Sequence, residues 1–246
     1  MVHKRDEILT DSTRPLRGTA GGPVIAIDGP AGSGKSTMAV LLAERLRFFL
    51  LDSGALYRAM ALHLTRLGLE PEGDTVPESA LSSLNLVAEP AIASMRLFLD
   101  GTDVGGLIRQ EQVGEAASRF SARPEVRRAL LDLQRSVGAQ GRVVAEGRDM
   151  GTVVFPHADV KFFLTAELEE RSARRYRELV HKGEKPTLVE VRSEMSVRDR
   201  RDESRSDSPL TRAPDAMVLD TTGLDPNDVL RRMIEHVARK LPGISA

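Results

Sequence analysis

The sequence predicts an α/β protein built on a doubly wound sheet of five parallel strands. Three observations predict it. Five short, largely apolar runs, at 24–27, 48–51, 142–145, 160–164 and 216–219, each end in polar or glycine residues, as strands buried on both faces do. Helical periodicity fills the intervals, at 36–46, 55–67, 113–120, 124–137, 168–180, 188–204 and 225–241, and strand alternating with helix builds a parallel sheet. A glycine-rich loop joins the first strand to the first helix. In such sheets ligands bind beyond the carboxyl ends of the strands. The polar residues there are Asp28, Asp52-Ser53, Glu146-Gly147-Arg148-Asp149, Thr165 and Asp220-Thr221.

Residues 1–23 are polar, lack the apolar stretch of a secretory signal and contain acids that transit peptides avoid. They predict a flexible tail ahead of a single domain over 24–246, and a cytoplasmic address. The first strand runs into Gly29-Pro30-Ala31-Gly32-Ser33-Gly34-Lys35-Ser36, then Thr37. This fits G-x-x-x-x-G-K-[ST], and the strand before and helix after supply the context the motif requires. The glycines let backbone N–H groups converge on phosphate oxygens, and the helix N-terminus adds positive potential. Lys35 is expected at the β and γ phosphates of a nucleoside triphosphate, and Ser36 at Mg²⁺.

After the second strand come Asp52-Ser53-Gly54-Ala55-Leu56-Tyr57-Arg58. Ser53 is expected to cap the next helix and Gly54 to ease the turn. Arg58, one turn in, either reaches a phosphate or lies on the surface. Residues 84–106, with two extended runs and the turn Asp100-Gly101, read as a small antiparallel β insert. At the end of the third strand Glu146 is the candidate metal carboxylate, Arg148 a phosphate clamp and Asp149 an acceptor for a substrate donor; a structural ion pair of Arg148 is the alternative. Residues 171–205 form a charged helix–turn–helix around Lys182-Gly183-Glu184-Lys185-Pro186, either a mobile flap or a solvated hairpin. Helical spacing puts Arg198, Asp202 and Arg205 on one face, and Arg171, Arg174 and Arg175 on another. Asp225-Pro226 opens the last helix as cap and first-turn proline.

Composition removes several classes. The net charge is −1 and aromatics are 4% with no Trp, so neither a basic field nor a stacking platform points to nucleic acid. Cysteine is absent, which removes disulfides, thiol nucleophiles and Cys-based metal sites. The histidines His3, His63, His157, His181 and His236 follow no zinc spacing. No apolar run approaches the ~18 residues of a membrane span. Lysines are few, and most of the 35 basic residues are Arg, the better bidentate partner for phosphate; a genomic composition bias favouring Arg is the alternative and accounts for most of the excess.

Taken together, Ile27–Lys35, Leu51–Arg58, Gly147–Pro156 and the closing Ala216-Met217-Val218-Leu219-Asp220 resemble bacterial cytidylate kinases, with Gly147-Arg148-Asp149-Met150-Gly151-Thr152 the most specific stretch. The similarity spans about 24–241. It implies transfer of the γ-phosphate of Mg²⁺·ATP to CMP or dCMP in pyrimidine metabolism. Two anionic phosphates must meet, so Lys35, Arg58, Arg148, Arg171 and Arg175 are the expected catalytic cations. By the same resemblance Asp149 accepts from the cytosine amine, and Arg127 and Arg205 donate to the ring acceptors. Ser118 lies at the base and sugar end, Arg198 and Asp202 contact the pentose, and Arg58 and Arg148 hold the acceptor phosphate. Ser53 and Tyr57 belong to the same substrate side.

The family's monophosphate-binding region corresponds to about 52–127, with the β insert at 84–106, and its lid to about 171–190. A monomer without nucleic-acid or membrane partners is implied. Glu146 stands where Asp is common, and the tail is longer than usual. A kinase for another monophosphate or for shikimate, a P-loop switch or translocase, and an idle nucleotide-binding regulator are the competing readings. The absence of an N-K-x-D guanine reader speaks against a GTPase.

Overall fold

The computed structural model describes residues 21–73 and 75–244; all but the last three residues of the expected tail lie outside them. The main sheet contains β1 (Val24–Asp28), β2 (Phe49–Asp52), β6 (Val143–Gly147), β7 (Val160–Thr165) and β8 (Met217–Asp220), in the order β2-β6-β1-β7-β8. Every pairing is parallel. The five expected strands are therefore present, with small shifts at their starts. Phe48 still serves the preceding helix α1 (Lys35–Leu46): Arg47 turns left-handed (φ 55°), and the Phe48 amide bonds the Ala43 carbonyl at 2.8 Å. Arg142 is likewise left-handed and precedes β6.

β1, β6 and most of β2 and β7 are buried on both faces, which explains their nearly unbroken apolar runs, while the edge strand β8 exposes Val218 and Asp220. Ile25, Ile27, Leu50 and Val144 face the side covered by α1 and α8 (Pro226–Lys240), against Met38, Leu42, Met233 and Val237. Ala26, Leu51, Val143 and Ala145 face the other side, against Leu56 and Met60 of α2 (Ser53–Arg66) and Val126 and Leu130 of α5 (Pro124–Gly138). Successive connections step to either side of β1, so the carboxyl ends of β1, β6 and β7 frame the switch point where ligands dock in such sheets.

The β insert is a three-stranded antiparallel sheet of β3 (Leu86–Ala91), β4 (Ser94–Leu99) and β5 (Thr102–Asp103). Its hairpin turn caps the open edge of β2: Ile92 bridges Phe49, and the Ala93 amide donates to the Phe48 carbonyl. Pairing an edge removes a site of unwanted strand addition. Three short elements escape periodicity, α3 (Glu78–Ser82), a 3-10 turn over Leu107–Arg109 and a π-turn over Met150–Val154. Helix α4 (Glu111–Phe120) begins two residues earlier than its pattern suggests.

Helices α6 (Leu168–His181) and α7 (Leu188–Glu203) form the charged hairpin, and Thr187 with Glu190 closes a capping box at the start of α7. The hairpin is neither wholly solvated nor detached. Leu179, Val191 and Met195 make an apolar cluster that packs beside Ala31 of the glycine loop. Arg205 lies past the end of α7, so the expected shared helical face stops at Asp202; the ion pair between Arg205 and Asp202 brings them together instead. Among the described residues no helix is long and apolar enough to cross a membrane.

Candidate active site

The glycine loop bridges β1 and α1 in a shape only glycine permits. Gly29 has φ +147°, and a Cβ there would lie 1.9 Å from the Leu164 carbonyl oxygen of β7. Gly32 and Gly34 are also left-handed, at +72° and +87°. Lys35 is buried and its Nζ donates to the Pro30 carbonyl at 2.7 Å. Burial and the nearby Arg148 push its pKa down to about 7, partly opposed by Glu146. Gly32, Ser36 and Thr37 face outward.

Asp28, at the end of β1, holds the next segment in place. Its carboxylate accepts from the Met150 amide (2.8 Å) and the Gly151 amide (2.7 Å). This fixes the Gly147–Thr152 stretch and aims Arg148 and Asp149 into the cleft. Burial raises the Asp28 pKa to about 6 despite those donors.

Ser36 and Glu146 meet directly: the serine Oγ donates to Glu146 Oε1 at 2.7 Å. Asp52 stands beside Glu146 as its register partner on β2. Burial and the Glu146 charge raise the Asp52 pKa to about 7. Asp52, not Ser53, caps α2, accepting from the Ala55 amide at 2.9 Å; Ser53 is the first helical residue and is buried. The donors are all oxygens, which suits Mg²⁺, a cation that keeps waters and shares substrate phosphates. Among the described residues no group of three or more His, Cys, Asp or Glu side chains could hold a metal without such help.

Cations converge opposite these carboxylates. Arg148 Nε donates to Asp202 Oδ2 at 2.8 Å, and Arg205 pairs with the other oxygen of Asp202. Burial works to raise the Asp202 pKa, yet Arg148, Arg205 and Arg198 bring it down to about 2. Arg198 is lowered to about 10 by burial and by Arg148, Arg58 and Arg175, with Asp202 opposing. Its Nε is buried without a partner, which suits an anion-binding guanidinium. Arg58 donates to the Ile108 carbonyl at 3.2 Å and lies along Gly114 of α4, where a Cβ would stand 3.5 Å from its Nη2.

The buried pair Arg127–Asp149 sits deeper, with the guanidinium carbon 5.3 Å from the centre of the Tyr57 ring. Arg127 also donates to the Ser121 carbonyl. Burial lifts the Tyr57 phenol to about 12, which keeps it protonated. Two serines of this region receive arginines from the end of the hairpin: Arg201 donates to Ser118 Oγ at 2.9 Å, and Arg205 to Ser121 Oγ at 3.0 Å.

The three arginines of α6 diverge. Arg171 is spent on the Ala166 and Ala31 carbonyls and on Asp199 at 2.6 Å, so it braces the glycine loop. Arg174 grips Thr221, whose hydroxyl donates to the Ser33 carbonyl at 3.1 Å. Arg175 reaches Glu111 of α4 and Glu178 of its own helix.

The structure brings Lys35, Arg58, Arg148, Arg198 and Asp202 close together, joins Ser36 to Glu146, and groups Tyr57, Arg127, Asp149 and Arg205; Arg171, expected as a catalytic cation, is instead engaged by the Ala166 and Ala31 carbonyls and Asp199. Sequence reasoning missed the placing roles of Asp28, Asp199, Arg201 and Thr221. Asp28 and Thr221 carry a signal, their position at strand ends; Asp199 and Arg201 are hidden in the charge run of α7.

Comparisons with known proteins identify the family. The family model described as cytidylate kinase matches residues 25–239. A cytidylate kinase of Citrifermentans bemidjiense is 44% identical over 220 residues, covering 89% of this chain and 94% of the relative. One from Carboxydothermus hydrogenoformans is 46% identical, covering 88% and 97%. One from Pasteurella multocida is 42% identical, covering 89% and 96%. With its glycine loop, strand-end carboxylates and arginine cluster in one cleft, the chain belongs to the cytidylate kinase family.

Proposed function

We propose that this chain transfers the γ-phosphate of ATP to CMP or dCMP, giving CDP or dCDP and ADP. The observation that carries the proposal is the convergence of Lys35, Arg58 and Arg148 beside the buried Arg127–Asp149 pair. The first group suits two phosphates in close approach; the second suits a base edge.

The acceptor phosphate has its second pKa near ~6, so its oxygen is already largely anionic at pH 7 and no general base is needed. The obstacle is charge repulsion, which fixed cations relieve without reorganising. Loop amides from Ala31 to Ser36 cradle the donor phosphates, with Gly29 and the N–H-less Pro30 shaping the turn and Lys35 on the β and γ groups. Arg58 and Arg148 hold the acceptor phosphate in line with it. Ser36 and Glu146 would hold Mg²⁺, which when bound draws charge from the β and γ oxygens.

Cytosine offers an amine donor at C4. Asp149 accepts from it, and Arg127 and Arg205 donate to the neighbouring ring acceptors. Ser118 completes the base end, while Arg198 and Asp202 face the pentose. A carboxylate reader rejects uracil because O4 is an acceptor. The hairpin of α6 and α7 acts as a lid that excludes water and so limits wasted hydrolysis. The protein acts as a monomer in the cytoplasm on small molecules alone, with no nucleic-acid or membrane partner.

The test is ADP release from Mg²⁺·ATP with CMP, dCMP, UMP or AMP, and without acceptor. Strong signals with CMP and dCMP are expected. A larger signal with UMP or AMP would overturn the assignment of acceptor.

A further inference from the structure

Besides the Arg201–Ser118 bond from α7, a contact from α6 joins the hairpin to α4 on the acceptor side. Arg175 of α6 pairs with Glu111, the first residue of α4, and both oxygens of the carboxylate accept from its Nη2. The same guanidinium is close enough to Arg198, which itself neighbours Arg148 and Arg58, to lower its pKa, so Arg175 stands at the edge of this cation cluster. A carboxylate on the guanidinium edge occupies the donors that a phosphate oxygen would otherwise take. Glu178, the other partner of Arg175, sits one turn along α6 and travels with it; Glu111 does not.

Helix α4 links that contact to the acceptor. Its first residue is Glu111, its middle lies on Arg58 at Gly114, and Ser118 in its last turn receives Arg201. Ten residues of helix, about 15 Å long, move as one piece. Arg58 and Ser118 are the parts of this unit assigned above to CMP, and the role of Glu111 rests on that assignment.

We infer that Glu111 is a positioning residue that withholds Arg175 from the donor phosphates until the acceptor is bound. CMP engages Arg58 and Ser118 and shifts α4, Glu111 lets go, and Arg175 turns to the γ-phosphate. Without acceptor, Arg175 stays on Glu111. Hydrolysis is then slow, because the γ-phosphorus lacks one cation while water oxygen bonds to it, the bond to the β–γ bridging oxygen breaks, and ADP and a proton leave. The pair is partly exposed, with side chains 21% and 46% accessible, so it can exchange readily.

The test measures phosphate release without acceptor and CDP formation with CMP, both at saturating Mg²⁺·ATP, in wild type, Glu111→Gln and Glu178→Gln. Glu111→Gln should raise acceptor-free hydrolysis by up to about fivefold, as much as an exposed ion pair can hold back. Its turnover with CMP should stay within about twofold. Glu178→Gln should leave hydrolysis unchanged. In wild type, added NaCl should raise acceptor-free hydrolysis by screening the pair, and in Glu111→Gln it should not. Unchanged or lower hydrolysis in Glu111→Gln, or an equal rise in Glu178→Gln, would overturn the inference. If wild type makes no CDP, the proposed function fails instead.

Discussion

The Ser36 hydroxyl donates to Glu146 across 2.7 Å, joining the first turn of α1 to the end of β6. These residues are 110 positions apart in sequence, and the parallel pairing of β1 with β6 brings them together. A hard cation placed between this hydroxyl, this carboxylate and the donor phosphates would find only oxygen ligands. Glu146→Gln should therefore raise the Mg²⁺ concentration for half-maximal CDP formation by about 10- to 100-fold, the usual cost of losing a partner around a metal. Chelation of Mg²⁺ should stop the reaction in both proteins. A Mg²⁺ titration reads both effects, and superimposed curves would refute the role of Glu146.

Asp149 and Arg127 are both buried and paired, so changing one has two consequences. Asp149→Ala leaves a buried cation alone and should cost about 3–5 kcal/mol of stability. Asp149→Asn keeps the shape and an acceptor but adds a donor that uracil O4 can use. Its preference for CMP over UMP in kcat/KM should fall by about 10- to 100-fold, the worth of one hydrogen bond to a charged group. Preserved discrimination in Asp149→Asn would remove Asp149 from base recognition.

Gly29 approaches the Leu164 carbonyl so closely that any side chain meets it. Gly29→Ala should force the loop off β7 and weaken ATP binding by at least about 10-fold, with a loss of 1–3 kcal/mol, roughly the range for overpacking. Calorimetric titration with ATP and a thermal melt measure the two effects. Gly183, in the exposed hairpin turn with nothing near its Cβ position, is the control; Gly183→Ala should leave ATP affinity unchanged.

Asp202 has its pKa lowered to about 2 by Arg148, Arg205 and Arg198 against the pull of burial. A depressed carboxylate stabilises the fold above its ordinary pKa of 3.8 and loses that contribution as pH falls through about 2. The loss amounts to about 2 kcal/mol. Asp202→Asn should be less stable than wild type at neutral pH, and the gap should narrow between pH 4 and pH 2. Urea unfolding across that range checks it. A gap independent of pH would mean that Asp202 is not held ionised by its arginines.

Much of the fold and site is legible in the sequence, for physical reasons. The glycine loop is local: its residues are contiguous, and a strand and a helix flank it. The strand-end rule likewise points to Glu146, Arg148 and Asp149, because strands buried on both faces read as apolar runs and stop where the cleft begins. The hidden features depend on long-range contacts. Nothing local says that Asp28 reaches Met150 and Gly151, that Arg171 is used up on Asp199 and Ala31, or that Arg201 finds Ser118. The sequence points to Ser53 as the cap that Asp52 provides, because both residue types cap helices and they are adjacent. Its charge pattern also carries Arg205 onto a helix that ends two residues earlier, since that pattern holds no stop signal there.

The most direct measurement is the fate of the γ-phosphorus. ATP labelled with ³²P at the γ position is incubated with CMP, Mg²⁺ and the protein, and the products are separated. Label in the β position of CDP, in step with unlabelled ADP, is the result expected of a cytidylate kinase with the site assigned above. Label in inorganic phosphate alone, at a rate that CMP does not change, would contradict it.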